Sequence, residues 1–130
     1  MKTLRSQFVT VVCLVLVSGC ASSPRSDQSG ALQAKSNSDF LAYKNCMESA
    51  ANYYAPSTAT PHEIADAAQA KCGAEYYSYE RSTENYFISI VSSSGVSMAR
   101  GKSRTLTQEM KGVVKEKVVQ WVVDARLRKK

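Results

Sequence analysis

A single histidine, His62, is all the imidazole this 130-residue chain offers, and that scarcity excludes a metal centre built on several His ligands. No G-x-S-x-G elbow and no phosphate-cradling glycine loop occurs, so the familiar signs of hydrolases and nucleotide binders are missing. The four cysteines, Cys13, Cys20, Cys46 and Cys72, never stand in the C-x-x-C spacing of a redox pair. The apolar run from Phe8 to Val17 is about half of what a membrane-spanning helix requires. Strict alternation of apolar and polar residues is absent, which argues against sheet. These gaps point away from an enzyme, a cofactor or a metal site.

What the chain does carry at its start is an address. Lys2 and Arg5 precede the apolar run, and Leu16-Val17-Ser18-Gly19-Cys20 closes it with small residues before the cysteine, in the order of an exported signal. This stretch resembles the lipobox of bacterial lipoproteins. The resemblance implies that residues 1–19 are a signal peptide and that Cys20, diacylated on its thiol, becomes the first residue of a membrane-anchored mature chain. In that family an Asp after the anchor cysteine commonly marks inner-membrane retention. Here the position is Ala21, so the resemblance implies the outer membrane, with the body facing the periplasm.

The 111 residues from Cys20 onward make one small domain whose core needs reinforcement. In an oxidising compartment the two cysteines left in the body, Cys46 and Cys72, are most simply a disulfide, with free buried thiols as the alternative. Residues 20–38 are Ser-rich and lack apolar periodicity, which predicts a flexible tether. The folded domain then spans 39–130. A first helix is predicted over about 39–55, ended by Pro56, with Phe40, Tyr43, Met47, Ala50 and Tyr54 on one stripe. A second runs over about 61–92, opened by Thr60-Pro61-His62-Glu63, where Thr caps, Pro costs no donor and Glu closes a capping box. A third covers about 105–128 with Val114, Val118, Trp121 and Val122 inward, although its valines leave a strand open there.

An antiparallel pairing of the first two helices tests itself. Cys46 opposite Cys72 also places Ala50 opposite Ala68, Tyr54 opposite Ile64, Tyr43 opposite Tyr76 and Phe40 opposite Tyr79. Both apolar faces and both cysteines agree on one register. The expected fold is therefore all-α, a disulfide-stapled antiparallel helical hairpin plus a third helix in a small bundle.

Charge divides the body. Residues 39–91 carry seven acidic and three basic side chains, whereas residues 100–130 carry ten basic and three acidic ones. Such an asymmetry suits either an anionic partner or attraction between the two halves. Glu75, Glu80 and Glu84 read as a solvated helix flank. Tyr53 and Tyr77 point away from the buried stripe and are candidate interface anchors. Arg126, Arg128, Lys129 and Lys130 suit either a helix C-terminal dipole or an anionic envelope polymer or phospholipid surface. The implied compartment disfavours nucleic acid. In size, anchor, helicity and single disulfide the chain looks like the small helical lipoproteins called pilotins, which implies a non-enzymatic partner of another envelope protein. A polymer binder and a periplasmic inhibitor or exclusion factor are the other classes.

Overall fold

The computed structural model describes residues 24 to 128, so Cys20, Lys129 and Lys130 lie outside the described residues. Four α-helices follow in order: α1 over Pro24–Tyr54, α2 over Pro61–Lys71, α3 over Gly73–Ser89 and α4 over Val96–Leu127, with a 3-10 turn at Ser93–Gly95 before α4. No strand occurs among the described residues, so the valine-rich segment is helical. The architecture is a three-rod bundle in which α1 runs one way, α2 and α3 return together, and α4 runs back along all of them.

Where α1 meets α2 and α3 the chain follows the antiparallel register. Cys46 and Cys72 are bridged, with Cα atoms 5.9 Å apart. One step along, Tyr43 stacks edge-on against Tyr76 at 5.4 Å between ring centroids, and Phe40 meets Tyr79 at 5.2 Å. Ala50 and Ala68 are both buried, and their small side chains allow the close approach that the bridge needs. Closing a loop of this length contributes about 3 to 4 kcal/mol on a chain-entropy argument.

The tether expectation fails from Pro24 onward. That residue opens α1, and the helix continues without a break through residues 24–38 into the segment expected to start at Asp39. Proline suits a first helical turn, and Ala31, Leu32, Gln33, Ala34 and Lys35 are good helix formers. The missing apolar stripe has a physical reason: the one buried position described in this part of α1 is met by a hydroxyl of α3. Ser36 is buried and shares a 2.8 Å hydrogen bond with buried Thr83, the next pair in the register after Phe40 and Tyr79. Lys35 pairs with Asp39 one turn on.

Two further boundaries differ from expectation. The single helix over 61–92 is interrupted at one residue, Cys72 (φ −97°, ψ 23°), and α3 ends at Ser89. Hydrogen bonds persist on either side, Cys72 N–H to the Ala68 carbonyl at 2.9 Å and Tyr76 N–H to the Cys72 carbonyl at 3.1 Å, so the interruption is a kink. It falls where the bridge ties the chain sideways and where Gly73, the weakest helix former after proline, follows. The third rod starts at Val96 and not near 105. Ala99, Ser103 and Thr107 bury one face of its first turns, while Thr105 donates to the Gly101 carbonyl inside the helix.

The start of α2 agrees in detail. Glu63 N–H donates to Thr60 Oγ1 at 3.3 Å, and Glu63 Oε2 accepts from Thr60 N–H at 2.7 Å, with Pro61 in the first turn. The core is uneven along its length. Toward the α1–α2 turn it is apolar, with Met47, Ala51, Ile64, Ala65, Val118 and Val122 closed to solvent. Toward the far end the buried groups are Ser36, Ser82, Thr83, Ser103 and Thr107. Trp121 packs half-buried at the margin, and Val114, Val118 and Val122 seat α4.

Hydrogen exchange tests the helical extension. Amides of residues 30–38 are expected to show protection comparable to that of residues 40–50, read by peptide mass spectrometry on the mature protein. Exchange at random-coil rates in 30–38 would restore the tether.

Candidate functional site

The residues singled out from the sequence fall in different places. Tyr77 is exposed on α3 at the mouth of a surface groove of about 540 Å³ between α3 and α4, with Glu80, Arg81, Glu84, Asn85 and Arg104 around it. Arg100 Nε donates to Glu84 Oε1 at 3.0 Å at its margin. Tyr53 lies elsewhere, on α1 near the turn, 71% exposed, with its ring edge-on to Tyr54 at 5.0 Å. The ammonium of Lys71 sits 4.8 Å from the centre of the Tyr53 ring and 5.6 Å from that of Tyr54. Tyr53 and Tyr77 are therefore separate surface features on opposite rods. His62 is exposed in the first turn of α2.

Arg126 is committed inside the domain. Its Nε donates to the Ala55 carbonyl at 2.9 Å, and one terminal nitrogen donates to the carbonyls of Ser57 at 2.8 Å and Ala59 at 2.6 Å. These oxygens belong to the end of α1 and to the turn, where backbone acceptors lack helical partners. One guanidinium from the last turn of α4 therefore ties the third rod to the hairpin loop. Arg128 is exposed beyond it. The sequence held no local sign of this clasp, because its partners are about 70 positions away.

The charge asymmetry is partly spent internally. Lys115 pairs with Asp66 of α2, Arg100 pairs with Glu84 of α3, and the Lys111 ammonium lies 4.7 Å over the Tyr76 ring. Exposed pairs of this kind each contribute about 1 kcal/mol or less, so they orient α4 more than they hold it.

Three tyrosines sit in the bundle with shifted hydroxyls. Burial pushes the Tyr43 phenol up to about 12, with Tyr76 next to it adding to the rise and Gln69 opposing it. Burial also raises Tyr76 and Tyr79, against opposing contributions from Thr107 and Thr83. The Tyr43 and Tyr76 hydroxyls are closed to solvent and complete no hydrogen bond. A third such atom was missed in the sequence. Glu75 is half-buried, not part of a solvated flank, and its Oε2 has no partner. The available signal was spacing, since Glu75 follows Cys72 by one helical turn and so shares its face.

A second groove, about 310 Å³, opens between the first half of α1, α3 and the first half of α4. Phe40, Tyr86, Phe87, Leu106 and Met110 line its walls above the Ser36–Thr83 hydrogen bond. No family model, curated protein or solved structure matches this chain.

The clasp predicts an unequal pair of arginines. Arg126→Ala is expected to cost about 2 to 3 kcal/mol, since it strips charge-assisted donors from three carbonyls. Arg128→Ala is expected to stay within about 0.5 kcal/mol of wild type. Urea unfolding followed by circular dichroism checks both, and equal costs would remove the clasp.

The buried phenols predict alkaline sensitivity. Each ionises at a higher pH in the fold than in the unfolded chain, whose value is 10.0, so the stability they contribute is intact below pH 10. It is lost as the pH rises through the folded values, near 12 for Tyr43. Tyrosinate absorbance should show a late-titrating class that vanishes in denaturant, and Tyr43→Phe, which deletes an unpartnered hydroxyl, should leave the protein at least as stable as wild type.

Proposed function

We propose that this chain is a non-enzymatic, lipid-anchored protein of the cell envelope, held through Cys20 in the outer membrane and presenting a rigid helical body to a protein partner in the periplasm. The observation that carries this reading is the groove around Tyr77. An exposed aromatic ring beside side chains of both signs, mounted on two rigid helices, has the composition of a protein-recognition surface. The lipobox-like stretch ending at Cys20 supports the anchor. Together they favour an assembly or escort role of the pilotin type, in which the anchor fixes the location and the groove selects the partner.

The second class, a binder of anionic polymer or phospholipid, draws on the basic C-terminus. It has less to work with than charge counting implies. Arg126 is engaged by the turn carbonyls, and Lys115 and Arg100 face carboxylates of α2 and α3. An inhibitor or exclusion factor would use the same groove as an adaptor and differs only in what its partner does afterwards.

Photo-crosslinking in intact cells separates these readings. A benzophenone residue placed at Tyr77 is expected to yield one discrete protein adduct, lost on adding Arg104→Glu, while the same probe at Tyr53 yields none. The Cys20→Ser variant is expected to leave the membrane fraction. Absence of a protein adduct at Tyr77, with salt-sensitive retention on lipid or cell-wall material that disappears when Arg128, Lys129 and Lys130 are reversed to Glu, would replace the adaptor with the polymer binder.

A further inference from the structure

The bridge between α1 and α3 has a neighbour that stapling does not explain. One carboxylate oxygen of Glu75 and the sulfurs of Cys46 and Cys72 all lie within 4.8 Å of one another. Glu75 Oε2 is shut off from solvent without a hydrogen-bond partner. A buried carboxylate oxygen left without a partner is costly, so a group that would satisfy it is worth seeking. Cys72 is fully buried and Cys46 half-buried, which leaves one side from which a small ion or a water can reach the cluster.

We propose that in the dithiol form of the protein Cys46, Cys72 and Glu75 bind one divalent cation of the zinc class, so that the same three positions serve as a disulfide staple or as a metal staple. Opening the bridge takes two electrons and two protons from a dithiol reductant, which leaves as its own disulfide, while Cys46 and Cys72 become thiols. Metal binding then releases both thiol protons to water and forms two metal–sulfur bonds and one metal–oxygen bond. A water molecule fills the fourth tetrahedral position. Two thiolates and a carboxylate suit zinc or cobalt and suit magnesium or calcium poorly, because sulfur is a soft ligand. In a tetrahedral shell with bonds of about 2.0 to 2.3 Å the ligand atoms stand roughly 3.5 to 4 Å apart. The Glu75 oxygen stands within 4.8 Å of both sulfurs, close to that spacing, and with Cα atoms 5.9 Å apart the two sulfurs, once released from their bond, separate to it by side-chain rotation. Glu75, whose Oε2 has no hydrogen-bond partner beside the disulfide, becomes a ligand.

Cobalt(II) is the probe, because its tetrahedral thiolate complexes absorb visibly and zinc does not. The mature chain is reduced with dithiothreitol, desalted without air and titrated with cobalt chloride, with circular dichroism on the same samples. One cobalt per chain is expected, with thiolate charge-transfer and strong visible bands that zinc then bleaches; the oxidised protein should show neither. Glu75→Gln should weaken cobalt binding by about tenfold or more, and Cys46→Ser should abolish the charge-transfer band. Equal affinity in reduced wild type and Glu75→Gln overturns the proposal, as do equal binding by the oxidised protein or missing bands in a folded reduced chain. A reduced chain that is unfolded and stays unfolded with cobalt overturns it as well.

Discussion

The antiparallel register of α1 against α2 and α3, pinned where Cys46 meets Cys72, is the constraint on which the rest of the structure depends. Once that pair is fixed, every third or fourth residue outward along the two rods is assigned a partner. Tyr43 meets Tyr76, Phe40 meets Tyr79, and Ser36 meets Thr83. A slip by one helical turn would set Ser36 against an aromatic ring and leave the bridge unmade. A small domain buries too little surface to specify such a register by hydrophobic contact alone, and the covalent tie removes competing alignments from the unfolded ensemble.

The core that follows from this register is graded. Near the turn the inward residues of α4 are Val114, Val118 and Val122, which close on Met47, Ala51, Ile64 and Ala65. Farther along the same helix face carries Ala99, Ser103 and Thr107. The hydroxyls of Ser103, Thr107 and Ser82 return hydrogen bonds to carbonyls of their own helices, so the polar end is satisfied internally and contributes little transfer free energy. Cohesion is therefore concentrated at the end where the disulfide, the valines and the Arg126 clasp all lie. The opposite end, where α1 begins and the two grooves open, is held by small-residue packing and by the Arg100–Glu84 pair.

Legibility in the sequence followed the same gradient. Where burial is apolar, periodicity read correctly: the stripes of α1 and α2, the capping box at Thr60 and the cysteine pairing all stand as the residues indicated. Where burial is polar, periodicity was silent. Residues 24–38 read as a tether because Ser36 carries no hydrophobic signal, and residues 96–104 fell outside the predicted third helix because Ser103 carries none either. Serine and threonine at inward positions become visible only once the facing helix is known to offer Thr83 or the space beside a small side chain. The kink at Cys72 was hidden for another reason: it comes from a tertiary bond acting on a locally weak position, and neither one alone predicts it. Arg126 and Glu75 share that difficulty, since each owes its environment to residues distant in sequence or folded around it.

The charge distribution shows why composition alone misdirects. Counted by segment, the last thirty residues are a strongly basic arm, suited to any anionic surface. In the fold residues 100–128 lie along α2 and α3, which carry five acidic and two basic side chains, and Lys115 and Arg100 pair there with Asp66 and Glu84. An external anion at Arg100 or Lys115 must compete with a carboxylate already in contact, and the Arg126 guanidinium is engaged by three carbonyls. Around Tyr77 the situation is reversed, because Arg81, Arg104 and Glu80 line an open groove beside an exposed ring. Recognition there would draw on shape and mixed polarity and depend weakly on salt, whereas recognition through net charge would be screened within about 8 to 10 Å at physiological ionic strength. Of the two surfaces, the face shared by α3 and α4 is the one that sets an exposed ring among charged side chains of both signs.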